Sequence, residues 1–244
     1  MTELLLDKGR STLADAVEDI LIKYFKDNGL KIGDSIPSET ELAKTLGVGR
    51  PVIREALSRL KMVGMVVSRT KRGMILSEPS LFGGMKNCIN PLLMTKSTMR
   101  DILGLRVALE IGISDSVISN ITDEDISELE KIVAMSEVVG INDYDPLSEH
   151  RFHTKLYEIT GNKYVSEFQT IIYPVINFIK SEDRGLIDPI KKELSEEGKI
   201  VTHADLLDHL KKRDRAGYKI AIEDHLRLYS IYLQRTCDNA KAAE

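Results

Sequence analysis

The chain contains 244 residues, of which 42 % are hydrophobic and 30 % are charged, and it has no tryptophan. This length is about twice that of a typical single domain, so it predicts two domains and excludes a small disulfide-stapled protein. The composition is that of an ordered globular chain and excludes the fibrous and disordered classes. The formal net charge of −4 argues at first against nucleic-acid binding, which uses Lys and Arg to displace counterions from phosphates.

The charge is distributed unevenly along the chain. Residues 1–77 contain 13 basic and 10 acidic side chains, and the remaining residues contain 21 and 28, so the two parts carry +3 and −7. Between Gly49 and Gly73, seven Lys and Arg residues stand against a single acidic residue, Glu55. The N-terminal part is therefore predicted to carry a local cationic surface, whatever the net charge of the whole chain.

Three features predict a cytoplasmic protein without a membrane segment. The first residues lack the charged start and long apolar stretch of a signal peptide. Cys88 and Cys237 are far apart in the sequence, which favours free thiols in a reducing compartment. The longest apolar runs, such as 171–176, are too short to cross a bilayer.

Three short helices are predicted in the N-terminal part. Apolar residues recur at intervals of three and four over 11–28, which predicts an amphipathic first helix. The second helix extends over 38–46, and Ser38 begins it with the capping-box pattern Ser-x-x-Glu. After a glycine-containing break, Pro51 occupies the first turn of a third helix that ends near residue 63, because a proline there lacks only an N–H that would have no partner.

A hairpin follows these helices. Two short β-like runs, 65–68 and 74–77, flank a basic tip at 69–73. The order of helix, helix-turn-helix and hairpin predicts a winged helix-turn-helix, whose second motif helix enters the major groove through its N-terminal residues. The alternative is a solvated basic helix face beside an ordinary hairpin. The candidate DNA-binding residues are Ser38, Gly49, Arg50, Pro51, Arg54, Arg72 and Gly73.

The rest of the chain is predicted to be helical. Helical periodicity covers 98–119, 123–139, 146–160, 163–181, 189–212 and 215–236. The segment before it is rich in Gly, Pro and Asn, which is typical of a linker. The fold class is therefore mainly α, with a winged helix-turn-helix over 1–77, a linker over 78–96 and an all-α helical bundle over 97–244.

An arginine lies beside the apolar stripe of the first helix of this bundle. Arg106 precedes Glu110 by one turn, and a buried guanidinium needs an anionic partner. That partner is either Glu110 itself or the carboxylate of a ligand, which the planar guanidinium suits well. Tyr173 and Asn177 interrupt an otherwise apolar helix, and they either line the same effector pocket or make ordinary core hydrogen bonds.

Three histidines lie on apolar helix faces. Glu149 precedes His153 by one turn, so both side chains can address one point, as paired metal ligands do. If the last two helices turn at 213–214, His203 and His225 lie at nearly the same height across the helix pair. Three imidazoles and a carboxylate suit a divalent metal, with zinc as the first expectation and nickel, manganese or iron as alternatives. The alternative is a purely structural role, in which the histidines only stabilise the core.

A three-histidine site also allows a different class of function. A metal with an open position generates metal hydroxide, so a metal-dependent hydrolase is the alternative to a binding protein. Against it, the sequence shows no separate general acid or base with a distinctive placement.

The N-terminal motifs match a known pattern. The segments 36–43 (IPSETELA) and 46–57 (LGVGRPVIREAL), with Leu60 and 72–73, resemble the winged helix-turn-helix of the GntR family of bacterial transcription regulators. The resemblance implies that Arg50 and Arg54 contact DNA and that Gly73 contacts the minor groove. Thr40 and Gly49 stand where an arginine and a Ser or Thr are common in the family.

The C-terminal residues extend this resemblance. Residues 106–110, 149–153 and 161–162, with His203 and His225, are similar to the helical FCD ligand-binding domain of the FadR-like branch. The resemblance implies a metal held by His153, His203, His225 and Glu149, which stands where an aspartate is usual. It also implies a small organic-acid or sugar-acid effector rather than a long-chain acyl-CoA.

These inferences combine into one predicted function. The protein is expected to be a transcriptional regulator, not an enzyme, and by analogy a repressor. Its helical domain holds the metal and the effector, with Arg106 and Glu110 in the effector site, and mediates dimerisation. A homodimer on a palindromic double-stranded DNA operator follows from the family and from the symmetry of most helix-turn-helix sites.

Overall fold

The structure is a computed structural model that describes residues 12–70, 73–80, 82, 85, 89–135 and 146–241. The chain is mainly helical and divides into two compact units between Asn87 and Cys88. Within the described residues, no helix combines the length and the apolar character that a membrane crossing requires.

The N-terminal unit consists of three helices and a two-stranded hairpin. They are α1 (Leu13–Asp27), α2 (Glu39–Leu46), α3 (Arg50–Met62), β1 (Val66–Arg69) and β2 (Gly73–Leu76). The predicted helix-turn-helix is therefore confirmed, with α2 and α3 as its two helices and the hairpin as its wing. Gly47 ends α2 at a φ of +65°, a left-handed conformation that a residue without a Cβ adopts at little cost.

Helix α3 is the centre of this unit. Helices α1 and α2 and strand β1 all pack against it. Its Ile53, Leu57 and Leu60 are completely buried, and Leu21 of α1 and Val66 of β1 join the same apolar cluster. The helix is thereby fixed along one face, which leaves its opposite face free to carry polar side chains.

The wing is tied to the helix-turn-helix at both of its strands. The two strands are antiparallel, and their register pairs Val66 with Leu76 and Arg69 with Gly73. A single bridge joins Ser35, just before α2, to Ile75 of β2. Strand β2 is thus held beside the segment that leads into α2.

The C-terminal unit is helical throughout its described part. After a short 3-10 helix, Pro91–Leu93, its helices are α4 (Lys96–Gly112), α5 (Ser114–Asn120), α6 (Asp123–Met135), α7 (Pro146–Ile159), α8 (Lys163–Glu182), α9 (Arg184–Glu196), α10 (His203–Lys211), α11 (Arg215–His225) and α12 (Arg227–Lys241). Helix α7 packs on α5, α6 and α8, and α8 packs on α4 and α9. The pair α10 and α11 packs on α6, α5 and α4 and so covers the ends of the same core.

Three of the predicted helices are each divided in two. The segment 98–119 breaks at Ile113, 189–212 is interrupted over 197–202, and 215–236 breaks at Leu226. The middle break has a clear cause, because Gly198 takes a φ of +64° and Thr202 begins α10 with a capping box. The predicted helix 123–139 is described as far as Met135, and its last residues lie outside the described part.

Candidate functional site

The N-terminus of α3 is open and cationic. Gly49 precedes the helix without a side-chain cap, Arg50 is its first residue, and Pro51 lies in its first turn. Both Arg50 and Arg54 are exposed, one turn apart. The positive end of the helix dipole and the two guanidinium groups form a surface that attracts phosphate and can reach base edges.

The other predicted DNA contacts have different surroundings. Ser38 is engaged in its capping box, since its hydroxyl lies 2.7 Å from Glu41 Oε2 and accepts the Glu41 N–H at 3.3 Å. Arg54 donates from Nε and Nη2 to a single oxygen of Glu39, at 3.2 and 3.1 Å. Gly73 begins β2 beside the wing tip with a φ of +69°. Arg72 lies outside the described residues.

In the C-terminal unit, three histidines converge from three helices. His153 lies in the middle of α7, His203 is the first residue of α10, and His225 is the last residue of α11. One nitrogen from each ring lies within 4.8 Å of the other two. His153 and His203 are fully buried, and His225 is half-buried. The helix hairpin does bring His203 and His225 together, as their spacing predicts.

The outer nitrogens of two of these rings each lie close to an oxygen atom. His225 Nδ1 donates to the Val201 carbonyl at 2.8 Å, and His153 Nδ1 lies 2.9 Å from Glu110 Oε2. Such contacts orient metal-binding imidazoles in known sites. The two Nε2 atoms therefore face each other, 3.4 Å apart. Nitrogens on neighbouring vertices of a tetrahedral zinc site are also separated by about 3.4 Å, so this donor set fits a divalent metal.

Glu149 lies at the edge of the histidine cluster. Its Oε1 is 3.3 Å from His153 Nε2 and its Oε2 is 3.7 Å from His203 Nε2, so a fourth ligand from this residue is within reach. The same carboxylate also pairs with two cations: Arg106 Nη2 is 3.2 Å from Oε1, and Lys180 Nζ is 3.6 Å from Oε2. Glu149 is thus shared between the histidines and two basic side chains.

The charges of the site favour ionised carboxylates. Burial raises the pKa of Glu149, but Lys180, His153 and Arg106 outweigh it and hold that pKa well below its usual value. Burial and the charge of His153 lower the pKa of His225 to about 4, so its imidazole is neutral at neutral pH. Burial lowers the pKa of His153, but Glu110 and Glu149 outweigh it and leave it raised. A proton and a metal therefore compete for His153 Nε2.

Arg106 is buried inside this network, with 1 % of its surface exposed. Its Nε donates to Glu110 Oε1 at 2.7 Å, and its guanidinium lies 5.1 Å from the centre of the Tyr229 ring. The internal pair with Glu110 that the sequence left open is therefore present. However, Nη1 is buried and has no hydrogen-bond partner among the described residues. One donor of the Arg106 guanidinium group, Nη1, therefore remains available to a further acceptor.

Sequence reasoning did not identify several neighbours of the cluster. Tyr157 donates its hydroxyl to Glu110 Oε1 at 2.8 Å, and Phe152 stacks on His203 with ring centres 4.1 Å apart. Lys180 follows the apolar stretch of α8, and a lysine in that position was the available signal. In the described part of the chain, the predicted residues Tyr173 and Asn177 make no hydrogen bond or ring contact with the three histidines. The Tyr173 ring instead lies 4.1 Å from His150.

Comparisons with known proteins cover both units. The model of the bacterial regulatory proteins of the gntR family matches residues 13–76, and the FCD domain model matches residues 101–228, more than half of the chain. The chain is 25 % identical over 226 residues to the uncharacterized HTH-type transcriptional regulator YcbG of Bacillus subtilis (strain 168), which spans 93 % of this chain and 82 % of that protein.

Two further comparisons agree with these matches. The chain is 27 % identical over 223 residues to the HTH-type transcriptional repressor NanR of Citrobacter rodentium (strain ICC168), spanning 89 % of this chain and 84 % of that protein. A solved structure of Streptococcus agalactiae GntR superposes with a TM-score of 0.57 at 23 % identity, covering 88 % of this chain and 98 % of that one. This structural likeness bears on the fold alone.

The matched family consists of transcriptional regulators and not of enzymes, so the hydrolase alternative is wrong. Its N-terminal unit is the DNA-binding part, and its C-terminal unit is the effector-binding FCD domain. The chain belongs to the GntR family of bacterial transcriptional regulators, in the FadR-like branch that carries an FCD domain.

Proposed function

We propose that the protein is a repressor whose FCD domain holds a divalent metal and a small organic or sugar acid, and whose operator affinity depends on that acid. The observation that carries this proposal is the buried Nη1 of Arg106, which has no partner in the described part of the chain. A buried donor without a partner is costly, and a ligand carboxylate would satisfy it. The three histidines beside it supply the second half of an acid-binding site.

Each residue of the site has a separate role in this proposal. His153, His203, His225 and Glu149 hold the metal, for which zinc is the first choice and nickel, manganese and iron are alternatives. A bound metal would supply attraction for the oxygen atoms of the acid. Arg106 binds and orients the carboxylate. Tyr173 and Asn177 are retained as candidate contacts to the rest of the effector.

Glu110 connects the two halves of the site. Its Oε1 accepts from Arg106, and its Oε2 lies 2.9 Å from His153 Nδ1. One carboxylate thus orients both an effector residue and a metal ligand. A ligand that binds two arrangements of the domain with different affinity would shift the balance between them, and this differential affinity is what controls the DNA-binding unit.

On the DNA side, the proposed contacts are those of the open end of α3 and of the wing. A homodimer would present two such ends to the half-sites of a palindromic operator, in the cytoplasm where the bacterial chromosome lies. The repressor names of the NanR relatives favour repression over activation. The proposed contact residues are Ser38, Gly49, Arg50, Pro51, Arg54, Arg72 and Gly73.

The DNA contacts are tested by fluorescence anisotropy on the palindromic segment upstream of the gene. Arg50→Ala and Arg54→Ala should each weaken binding by about 1–3 kcal/mol, roughly 5- to 150-fold, which is the contribution of one good base contact. Arg215→Ala is the control, because Arg215 is an exposed arginine of the C-terminal unit, paired with Asp115. Undiminished binding by both α3 variants would overturn the proposed contacts.

The effector is tested by thermal shift of the zinc-loaded protein with sugar acids and dicarboxylates. A true effector should raise the unfolding temperature and weaken operator binding in the same concentration range. Arg106→Lys keeps the positive charge but loses the planar guanidinium group, so the rise in unfolding temperature that the effector causes should be smaller in this variant. If no acid alters operator binding and the purified protein retains no metal, the sensing part of the proposal fails.

A further inference from the structure

The carboxylate of Glu149 has two kinds of partner on its second oxygen. Oε2 lies 3.7 Å from His203 Nε2 and 3.6 Å from Lys180 Nζ. The lysine comes from α8, and its side chain is 19 % exposed, so the ammonium is largely desolvated. The oxygen of Glu149 that faces His203 is therefore also the oxygen that faces a cation supplied by the chain itself.

The arginine, lysine and glutamate side chains around the cluster balance one another in charge without a metal. Arg106 and Lys180 carry two positive charges, and Glu110 and Glu149 carry two negative charges, all within one connected set of ion pairs. Buried charges are stable only when they are paired, and this set is paired already. A divalent ion adds two charges to a balanced group, and it does so at the carboxylate that Lys180 holds.

We propose that Lys180 is a built-in counter-ion of Glu149 that competes with the metal for this carboxylate and so sets the metal affinity of the site. The inference rests on the proposed function, because it concerns the same metal site. The lysine side chain is flexible and partly exposed, so it can leave the carboxylate when a metal takes its place. Metal affinity is then lower than the donor set alone would give.

A purely structural role for Lys180 gives the opposite expectation. If the ammonium only fixes the position of Glu149, its removal should disorder a ligand and weaken metal binding. If it competes, its removal should strengthen metal binding, because a like charge beside the ion is gone. The sign of the change separates the two roles.

The experiment measures zinc affinity by competition with a chromogenic chelator in the full-length protein. Lys180→Gln should bind zinc about tenfold more tightly than the wild type, the order expected for removing one partly screened charge near the ion. Lys180→Arg keeps the charge and should remain near the wild-type value. The control is Lys155→Gln, which removes a similarly buried lysine of α7 that pairs with Asp125 and Glu128 of α6.

A second readout guards against a folding artefact. In chelator, Lys180→Gln should unfold at a lower temperature than the wild type, since Glu149 loses a partner, and added zinc should produce a larger upward shift than in the wild type. Unchanged or weaker zinc binding by Lys180→Gln, with normal binding by the wild type, overturns the inference and leaves the proposed metal site standing. Absence of zinc binding in the wild type and in every variant overturns both the inference on Lys180 and the proposed metal site. Zinc binding by Lys180→Gln but not by the wild type supports competition between Lys180 and the metal.

Discussion

At the scale of single residues, Arg54 shows how the protein restrains a proposed DNA contact before DNA binds. The side chain is 61 % exposed, yet both its Nε and Nη2 donate to one oxygen of Glu39. Glu39 is the first residue of α2, so the contact ties together the two helices of the motif. A phosphate would have to compete with this carboxylate for the same guanidinium.

Replacing Glu39 should therefore reduce the preference of the protein for its operator over unrelated DNA. In Glu39→Gln the guanidinium is released and one repulsive charge is removed, so binding to unrelated DNA should tighten by up to about fivefold, the range of an exposed ion pair. Operator binding should tighten less, because there the arginine already has its base or phosphate partner. Anisotropy titrations on operator and random duplexes at several salt concentrations measure this, with the exposed Asp19→Asn of α1 as the control. Weaker binding to both duplexes would contradict it.

Glu110 supports a second prediction at the same scale. Glu110→Gln removes the charge beside His153 Nδ1, and loss of such an outer partner lowers metal affinity about 10- to 100-fold in known sites. Tyr157→Phe is the matched control, because it removes a different contact of Glu110 but leaves the carboxylate in place. Zinc titration checks both variants, and circular dichroism checks that each is folded. Equal zinc affinities for the two variants would refute the orienting role.

The sequence predicted part of this site and missed part of it. Helix geometry alone predicts that Glu149 and His153, one turn apart, lie on one face. It also predicts that His203 and His225 lie at the same height along two adjacent helices, so both features could be inferred from the sequence. Lys180 is visible in the sequence as a lysine after an apolar stretch, but its place beside Glu149 is not predictable, because tertiary contacts between α7 and α8 decide which helix packs there. Tyr173 and Asn177 illustrate the same limit, since a polar residue in an apolar stretch can face any of several neighbours.

At the scale of elements, the cap of α10 determines where His203 lies. Thr202 accepts the Asp205 N–H, and Asp205 accepts the Thr202 N–H, so the helix begins at His203 itself. Apolar spacing continues on both sides of the break, so periodicity alone predicts one helix across this point. The capping pattern was present in the sequence, and it outweighs the periodicity because it satisfies N–H groups that the break would otherwise expose.

Removing this cap should affect both stability and metal binding. Thr202→Ala should cost about 1 kcal/mol of unfolding free energy and weaken zinc binding, since the adjacent histidine loses its fixed position. Thr122→Ala is a close control, because Thr122 and Asp125 form the same reciprocal contacts at the start of α6, away from the histidines. It should lose similar stability in urea denaturation but keep the zinc affinity. Identical zinc affinities for the two variants would show that the cap does not position His203.

The turn between α10 and α11 depends on a glycine. A Cβ on Gly217 would collide with the Asp214 carboxylate and the His209 ring. Asp214 Oδ2 lies 3.0 Å from His209 Nδ1, and the Asp214 side chain also caps α11. Gly217→Ala should therefore destabilise the unit by about 1–3 kcal/mol, the usual cost of overpacking. Gly185→Ala, in open space near the start of α9, should be neutral or slightly stabilising. Thermal unfolding compares the two, and equal effects would contradict the steric argument.

At the scale of the whole molecule, the mildly acidic chain is the sum of two unlike parts. The cationic segment belongs to α3 and the wing, and the acidic excess belongs to the helical unit. Domain class and motif order were predictable because the helix-turn-helix depends on short-range signals such as Ser38, Gly47 and Pro51. The packing order of the nine described α-helices of the C-terminal unit was not predictable, since helix periodicity identifies a buried face but not the element that covers it.

Because each unit has its own core, metal should stabilise only one of them. Calorimetry of the full chain should show two transitions, and zinc at about 100 times its dissociation constant should add about 2.7 kcal/mol to the C-terminal unit, a shift of roughly 5–10 °C. Operator DNA should instead raise the transition of the N-terminal unit. The double variant His153→Ala, His225→Ala should lose the zinc shift and keep the DNA shift. Zinc raising both transitions equally, or raising neither, would contradict a metal site confined to the FCD domain.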